Sequence, residues 1–283
     1  MNFMEKEVKL SQDRIDVLTK IAMYEKEGGE SFFKDVENDP PTKVLNPEDV
    51  DYLDKKIINR FKHFFACILG NMIRKKTRKH NEVEVIGMEN LEGLKTGAII
   101  TSNHFAHFES ACVSKVVNLL NKKKKLYIVI REGNYTMPGI FGFLFRHCDT
   151  LPLSSNIHTM KNFHKAMTEV LKKNNYVLVY PEQSMWWNYK KPRPQRNGAA
   201  HFACKNNVPI IPCFVTMTDL DKTDVDGSIV QKYTIHVMKP IYPNENLSLK
   251  ENVEQMVKTN YELCIKKYEE VYRKKLTYTC DEE

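Results

Sequence analysis

Nowhere in this sequence do eighteen apolar residues run together, so no membrane-crossing helix is expected. Its seven cysteines stand apart at positions 67, 112, 148, 204, 213, 264 and 280. None forms a C-x-x-C pair, so neither a zinc ribbon nor a disulfide framework is suggested, and a reducing compartment is the simplest setting. The opening MNFMEKEVKL is too charged for a secretory leader. Without a G-x-S-x-G elbow, Ser110 and Cys112 lack the context of a hydrolase nucleophile. Internal repeats and low-complexity tracts are missing too. No nucleic-acid motif and no second basic stretch interleaved with aromatics is present, so nucleic acid is not an expected partner. The expected location is cytoplasmic, or peripheral on the cytosolic face of a membrane.

What is present is ordinary in bulk and uneven in detail. The 283 residues are 42% hydrophobic and 28% charged, enough for one large domain with an appendage. The net charge of +7 is not spread evenly. Residues 1–50 carry 7 basic and 12 acidic groups, residues 51–80 carry 9 and 2, and residues 81–283 carry 27 and 22. A thirty-residue segment thus holds an excess equal to that of the whole chain, which suits an anionic partner such as phospholipid headgroups. We therefore divide the chain into an N-terminal helix with a polar linker (1–50), a basic amphipathic helix (51–80) and an α/β domain (81–283).

Residues 10–24 read as a short helix, followed by a linker ending in Asp39-Pro40-Pro41. Residues 52–76 read as one long helix. Leu53, Ile57, Phe61, Phe64, Phe65, Ile68, Leu69, Met72 and Ile73 repeat at three-four spacing, and lysines and Arg60 occupy the other face. Either it packs on the core with a solvated basic end, or its Phe/Ile face enters a lipid surface beside anionic headgroups. From residue 83 short apolar strands (83–86, 98–102, 126–130, 176–180, 208–216, 233–238) alternate with helices (109–120, 139–145, 159–173, 198–205, 249–276). That alternation predicts an α/β fold with a largely parallel central sheet flanked by helices. The acidic stretch at 219–226 lacks a complete calcium loop and reads as a polar loop.

In such sheets ligands bind beyond the carboxyl ends of the strands. Two polar groups fall there: TSNHFAHFESA after the strand ending near 102, and Pro181-Glu182 after the strand ending near 180. If a helix begins near Phe105, His104 and Glu109 lie about one turn apart. A carboxylate on one ring nitrogen fixes the tautomer and makes the other nitrogen a general base. Two other readings stand beside this one: a metal held by His104, His107 and Glu109, and a polar helix start capped by Asn103 with no chemistry.

The ordered set of motifs resembles the 1-acyl-sn-glycerol-3-phosphate acyltransferase superfamily. The first block is Asn103-His104-Phe105-Ala106-His107-Phe108-Glu109, the third is Tyr180-Pro181-Glu182-Gln183-Ser184, and the fourth is Val208-Pro209-Ile210-Ile211-Pro212. Supporting segments are Val85-Ile86-Gly87-Met88-Glu89-Asn90-Leu91, Arg196-Asn197-Gly198-Ala199-Ala200 and Met238-Lys239-Pro240-Ile241, so the likeness spans roughly residues 83–242. The resemblance implies acyl transfer from acyl-CoA or acyl-ACP, as co-substrate, to a hydroxyl, with no bound cofactor and no metal. His104 would be the general base and Glu109, where the family usually has Asp, would orient it. Asn103, Glu182, Gln183 and Ser184 would line the substrate site.

The family's third block usually continues Gly-Thr-Arg, where this chain has Gln183, Ser184 and Met185. Lys190, Lys191, Arg193 and Arg196 follow closely and either supply the charge for an acceptor phosphate instead or form a solvated basic loop, and Arg131 and Arg146 are further candidate anion ligands. The implied partners are a membrane lipid surface and a lysophospholipid-type acceptor, 1-acylglycerol-3-phosphate above all. A different lipid, sugar or amine acceptor, and a non-catalytic lipid-binding protein on the same fold, remain as alternatives. Trp186, Trp187 and Tyr189 read as packing residues, or as an aromatic contact with lipid.

Overall fold

The computed structural model describes residues 9–38 and 42–281; Asp39-Pro40-Pro41 and the first eight residues lie outside them. Seven strands form one sheet: β1 (Glu84–Ile86), β2 (Ala98–Thr101), β3 (Leu126–Ile130), β4 (Thr150–Pro152), β5 (Tyr176–Val179), β6 (Ile210–Thr223) and β7 (Ile229–Val237). Their order is β1-β7-β6-β2-β5-β3-β4, and every neighbouring pair is parallel except the β6–β7 hairpin. The α/β expectation therefore holds. The acidic stretch at 219–226 is not all loop: Asp219 to Thr223 extends β6 into that hairpin.

Side-chain alternation sorts the core into two layers. Ala98, Ile100, Leu178, Ile211, Cys213 and Val215 face α3 (Ser110–Leu120). Ile99, Val177, Val179 and Ile210 face α6 (Ile157–Lys172), α7 (Gly198–Asn206) and α8 (Leu249–Tyr272). Both faces are covered, so the central strands read as unbroken apolar runs. The chain leaves β2 toward the β4 edge and leaves β5 toward the β1 edge, which places a topological switch point between these two strands.

The N-terminal segment is fastened to this domain. Helix α1 (Gln12–Glu27) sets Val17 and Ile21 against Trp186 and Tyr278. Arg14 ties to Asp226 at 3.0 Å and to Glu37 at 2.9 Å. Trp186 is fully buried and donates to the Lys34 carbonyl, so it packs the core instead of meeting lipid.

Helix α2 is Ile57–His80, later than the expected 52–76. Leu53 and Asp54 adopt left-handed backbone (φ 68° and 49°), which helix cannot continue, and the Asp51 carboxylate accepts the Lys56 N–H at 2.8 Å just before the first turn. Residues Leu53 to Lys56 thus form an entry turn. The buried face of α2 is small: Ala66 and Gly70 meet the end of α5 (Gly139–His147), where a Cβ on Gly70 would stand 2.7 Å from Cys148 Sγ. The aromatic face looks outward. Phe61, Phe64 and Phe65 are 64%, 61% and 62% exposed, alongside Ile57, Ile58, Ile68 and Met72. The basic end is partly docked, since Arg78 bonds the Ala111 carbonyl and Ser114 on α3. No helix among the described residues is long and apolar enough to cross a membrane.

Candidate active site

Register alone brings the two motif loops together. Thr101 on β2 pairs with Val179 on β5, so His104 and Glu182 each stand three residues past paired strand ends. The Glu182 carboxylate duly accepts the His104 backbone N–H at 3.2 Å. Beyond them Arg131 leaves the end of β3 on the same edge.

His104 and Glu109 meet as the spacing implied, but not on a helix. Residues 104–109 form turns and α3 starts only at Ser110, with Glu109 as its N-cap. The turn carries the carboxylate back under the ring: Glu109 Oε1 lies 2.6 Å from His104 Nδ1. That contact makes Nδ1 the protonated nitrogen and leaves the Nε2 lone pair free. Glu109 is 3% exposed and sits at the N-terminus of α3, whose unsatisfied N–H groups favour negative charge there. Tyr180 stacks flat on the imidazole, with ring centroids 4.1 Å apart and an 11° angle. Its buried hydroxyl lies on the Glu109 side, and by geometry neither that hydroxyl nor the second carboxylate oxygen has a hydrogen-bond partner among the described residues. Burial first, then the Glu109 charge, pushes the Tyr180 phenol well above its ordinary range, so it stays neutral.

The pair opens onto a cavity of about 720 Å³ at the carboxyl edge of the sheet. Phe141, Phe145, Leu153 and Phe202 give it an apolar wall, and Phe108 with Phe141 stands at its partly exposed rim. Such a volume falls within the usual range for a small-molecule site, about 300–1,000 Å³. Asp35 and Glu37 from the N-terminal segment also line it, a contribution that no motif announces.

The remaining sequence candidates divide. Gln183, with left-handed backbone (φ 64°), Ser184, Arg131 and Arg196 all line the cavity. Arg131 pairs with Asp35 at 2.7 Å, while Arg196 pairs with Glu30 and lies 3.6 Å over the Phe33 ring. Both pairs are exposed and worth little, so an anionic ligand can compete for these guanidiniums.

Three candidates are spoken for elsewhere. The Asn103 amide takes the Val215 N–H at 2.8 Å and gives to the Val215 carbonyl at 3.0 Å, stitching β2 to β6. Arg146 lies away from the large cavity and donates to the Tyr135 and Met137 carbonyls, closing the turn between α4 (Glu132–Thr136) and α5. Glu182 is buried in an ion pair with Arg193 at 3.0 Å.

Arg193, read from sequence as part of a solvated basic loop, is fully buried. It donates to the Phe32 carbonyl at 2.7 Å, to Ser184 Oγ at 3.0 Å and to the Ser184 carbonyl, and its guanidinium lies 4.5 Å over Trp186. Trp186 N–H in turn reaches the His104 carbonyl at 3.0 Å. Glu182 and Arg193 therefore lock the third-block loop to the backbone of His104. Of the other two basic residues, Lys191 bonds Glu25 at 2.6 Å and Lys190 reaches Asp219. His107 turns to Glu37 at 3.1 Å, so the metal reading on His104, His107 and Glu109 is not assembled.

The family model described as Acyltransferase matches residues 82–216, a span that includes His104, Glu109 and Glu182. Among solved structures, the chain is similar to the 1-acyl-sn-glycerophosphate (LPA) acyltransferase PlsC from Thermotoga maritima, at 14% identity and a TM-score of 0.48, covering 94% of this chain and 100% of that one. No curated protein matches the sequence significantly.

Proposed function

We propose that this chain, an acyltransferase of the superfamily that includes 1-acyl-sn-glycerol-3-phosphate acyltransferases, moves a fatty acyl group from acyl-CoA or acyl-ACP to a lysophospholipid-type hydroxyl, with His104 as general base. One observation carries the reading. A histidine whose Nδ1 is held by a buried carboxylate at 2.6 Å opens onto a cavity with an apolar wall and two loosely paired arginines. The wall suits an acyl chain, and Arg131 and Arg196 suit the acceptor phosphate.

In this scheme Nε2 of His104 takes the proton of the acceptor hydroxyl as its oxygen attacks the thioester carbonyl carbon. Glu109 stabilises the imidazolium, and Tyr180 holds the ring plane by stacking on it. The tetrahedral oxyanion collapses, the carbon–sulfur bond breaks, and the imidazolium returns its proton to the departing thiolate. A positioned base of this kind is worth about 10²–10⁴ in rate. The outward aromatic face of α2 and the rim at Phe108 and Phe141 support a peripheral seat on the cytosolic membrane face, where both substrates partition.

Thiol release from palmitoyl-CoA, followed with purified protein, vesicles and lysophosphatidate, tests the proposal. The expected result is acceptor-dependent release that His104→Ala abolishes. Release with neutral lipid alcohols, sugars or amines alone moves the acceptor assignment. No transfer across the panel by a folded, vesicle-bound protein favours the lipid-binding alternative. Equal rates for wild type and His104→Ala refute the base.

A further inference from the structure

On the side of α2 that faces the domain, three donors of different chemistry converge away from the cavity. His63 and Cys67 lie one turn apart on α2, and Asp149 precedes β4. Cys67 Sγ is 3.4 Å from His63 Nε2 and 3.6 Å from an Asp149 oxygen, and His63 Nε2 is 3.8 Å from the other Asp149 oxygen. In a tetrahedral zinc site with bonds of about 2.3 Å to sulfur and about 2.0–2.1 Å to nitrogen and oxygen, neighbouring donors stand about 3.4–3.6 Å apart. The His63–Cys67 separation already matches such an edge, and because the two Asp149 contacts run to different oxygens, a rotation of that carboxylate is what would bring one oxygen to both partners.

The second layer is arranged to match. His63 Nδ1 lies 2.8 Å from the His147 carbonyl and 3.1 Å from Asp54 Oδ2. With Nδ1 donating there, Nε2 presents its lone pair to the cluster, the usual way a metal-binding histidine is oriented. Cys148 adjoins Cys67 but stands outside the group whose donor atoms all approach one another, and its sulfur accepts from the Arg74 guanidinium, so the fourth position of the ion would fall to solvent. Lys125 Nζ sits 3.0 Å from His63 Nε2 and 3.1 Å from Asp149 Oδ1, so an ammonium stands where a cation is favoured. Its half-exposed side chain can swing to solvent and leave that position.

We propose that His63, Cys67 and Asp149 form a zinc site, with Cys148 beside them. An imidazole, a thiolate and a carboxylate in compact array select a borderline-soft divalent ion over magnesium or calcium. The ion would rivet α2, the helix that carries the exposed aromatic face, to the α5–β4 corner, so that the orientation of the lipid-facing surface depends on metal. This assignment does not rest on the acyl-transfer reading, because its test reads the metal itself.

The test begins with protein dialysed against a chelator and titrated with cobalt(II) as a spectroscopic substitute for zinc. The expected result is one cobalt per chain, with the intense d–d bands of a tetrahedral ion and a thiolate charge-transfer band, displaced by one equivalent of zinc. Cys67→Ser should remove the charge-transfer band and, like Asp149→Asn, weaken zinc at least about 100-fold. Should either variant fail to fold, Lys125→Ala keeps the test sharp, since removing the competing ammonium must tighten zinc. An octahedral cobalt spectrum, no stoichiometric uptake by wild type, or weaker binding in Lys125→Ala overturns the site and leaves Lys125 as the cluster's resident cation.

Discussion

Removing the Arg193 guanidinium should damage this protein more than removing any surface charge. The Arg193→Met variant keeps much of the side-chain volume and strands a buried carboxylate. Arg193 is fully buried and Glu182 is 3% exposed, and their 3.0 Å contact is reinforced by bonds to the Phe32 carbonyl, Ser184 Oγ and the Ser184 carbonyl. Breaking a buried pair from one side typically costs about 3–5 kcal/mol. For a domain of this size each kcal/mol moves the melting temperature by about 2–4 °C, so a fall of roughly 10 °C is expected in a thermal-melt assay. The double variant Glu182→Gln with Arg193→Met removes both charges and should melt above Arg193→Met alone. Because Glu182 also accepts the His104 N–H, a surviving single variant should lose kcat more than it gains KM. A melting temperature within about 2 °C of wild type, or a strictly additive double variant, would show that the pair does not act as one buried unit. A variant of normal stability with a raised KM for the acceptor would instead return Glu182 and Arg193 to substrate binding.

Glu109→Gln keeps the shape but loses the charge beside His104, and should lower kcat about 10²-fold or more while the fold persists by circular dichroism. Tyr180→Phe removes the unpartnered hydroxyl on the Glu109 side but keeps the stacked ring, and should leave the melting temperature and the pH–rate profile close to wild type; a displaced profile would show that the hydroxyl positions Glu109. The hydrogen bond to Glu37 raises the His107 imidazole, and the same bond lowers Glu37. Stability from a raised histidine is complete below its ordinary value and lost as pH rises through the raised one; stability from a lowered carboxylate is lost as pH falls through its lowered one. The clasp therefore contributes in full between the ordinary carboxylate and imidazole ranges, and fades above them as His107 loses its proton and below them as Glu37 gains one. NMR titration of His107 in wild type and Glu37→Gln checks it, with a lower midpoint expected in the variant.

The sheet was legible because its central strands are buried on both faces, and continuous apolar runs such as AIIT and YVLV survive any choice of register. β4 escaped notice because three residues ending in Pro152 carry no period, and their strand character comes from pairing with β3. His104 and Glu109 were legible as a spacing, though the contact is made by a turn. The partners of Asn103, Glu182 and Arg193 were hidden for a common reason. Sequence shows that a residue can bind a partner but not whether the fold has already supplied one: Val215 for Asn103, and each other for the remaining two. The zinc cluster was invisible because His63 and Cys67 are separated in sequence from Asp149 by the whole first βαβ unit.

Helix α2 shows the same limit in its sharpest form. The periodicity of residues 57–73 fixes a stripe but not the direction it faces, and the ordinary outcome is a stripe turned to the core. Here the core side is taken by Ala66 and Gly70, whose smallness lets α2 lie close against α5 at Cys148. Seven large apolar side chains are left outside, and water does not favour that exposure. Burying one such side chain in a lipid interface gains on the order of 1.5–3 kcal/mol, so three phenylalanines, roughly 4.5–9 kcal/mol together, rank level with the net +7 of residues 51–80 at about 1 kcal/mol per charge near an anionic surface. Replacing Phe61, Phe64 and Phe65 together by serine should therefore abolish sedimentation with vesicles while leaving the melting temperature close to wild type, because none of the three is buried in the fold. Raising salt should weaken wild-type binding only partially, by the share owed to the basic residues of 51–80. Vesicle binding that vanishes in high salt but survives the triple substitution would overturn this balance and make the helix an electrostatic anchor with an incidental apolar face.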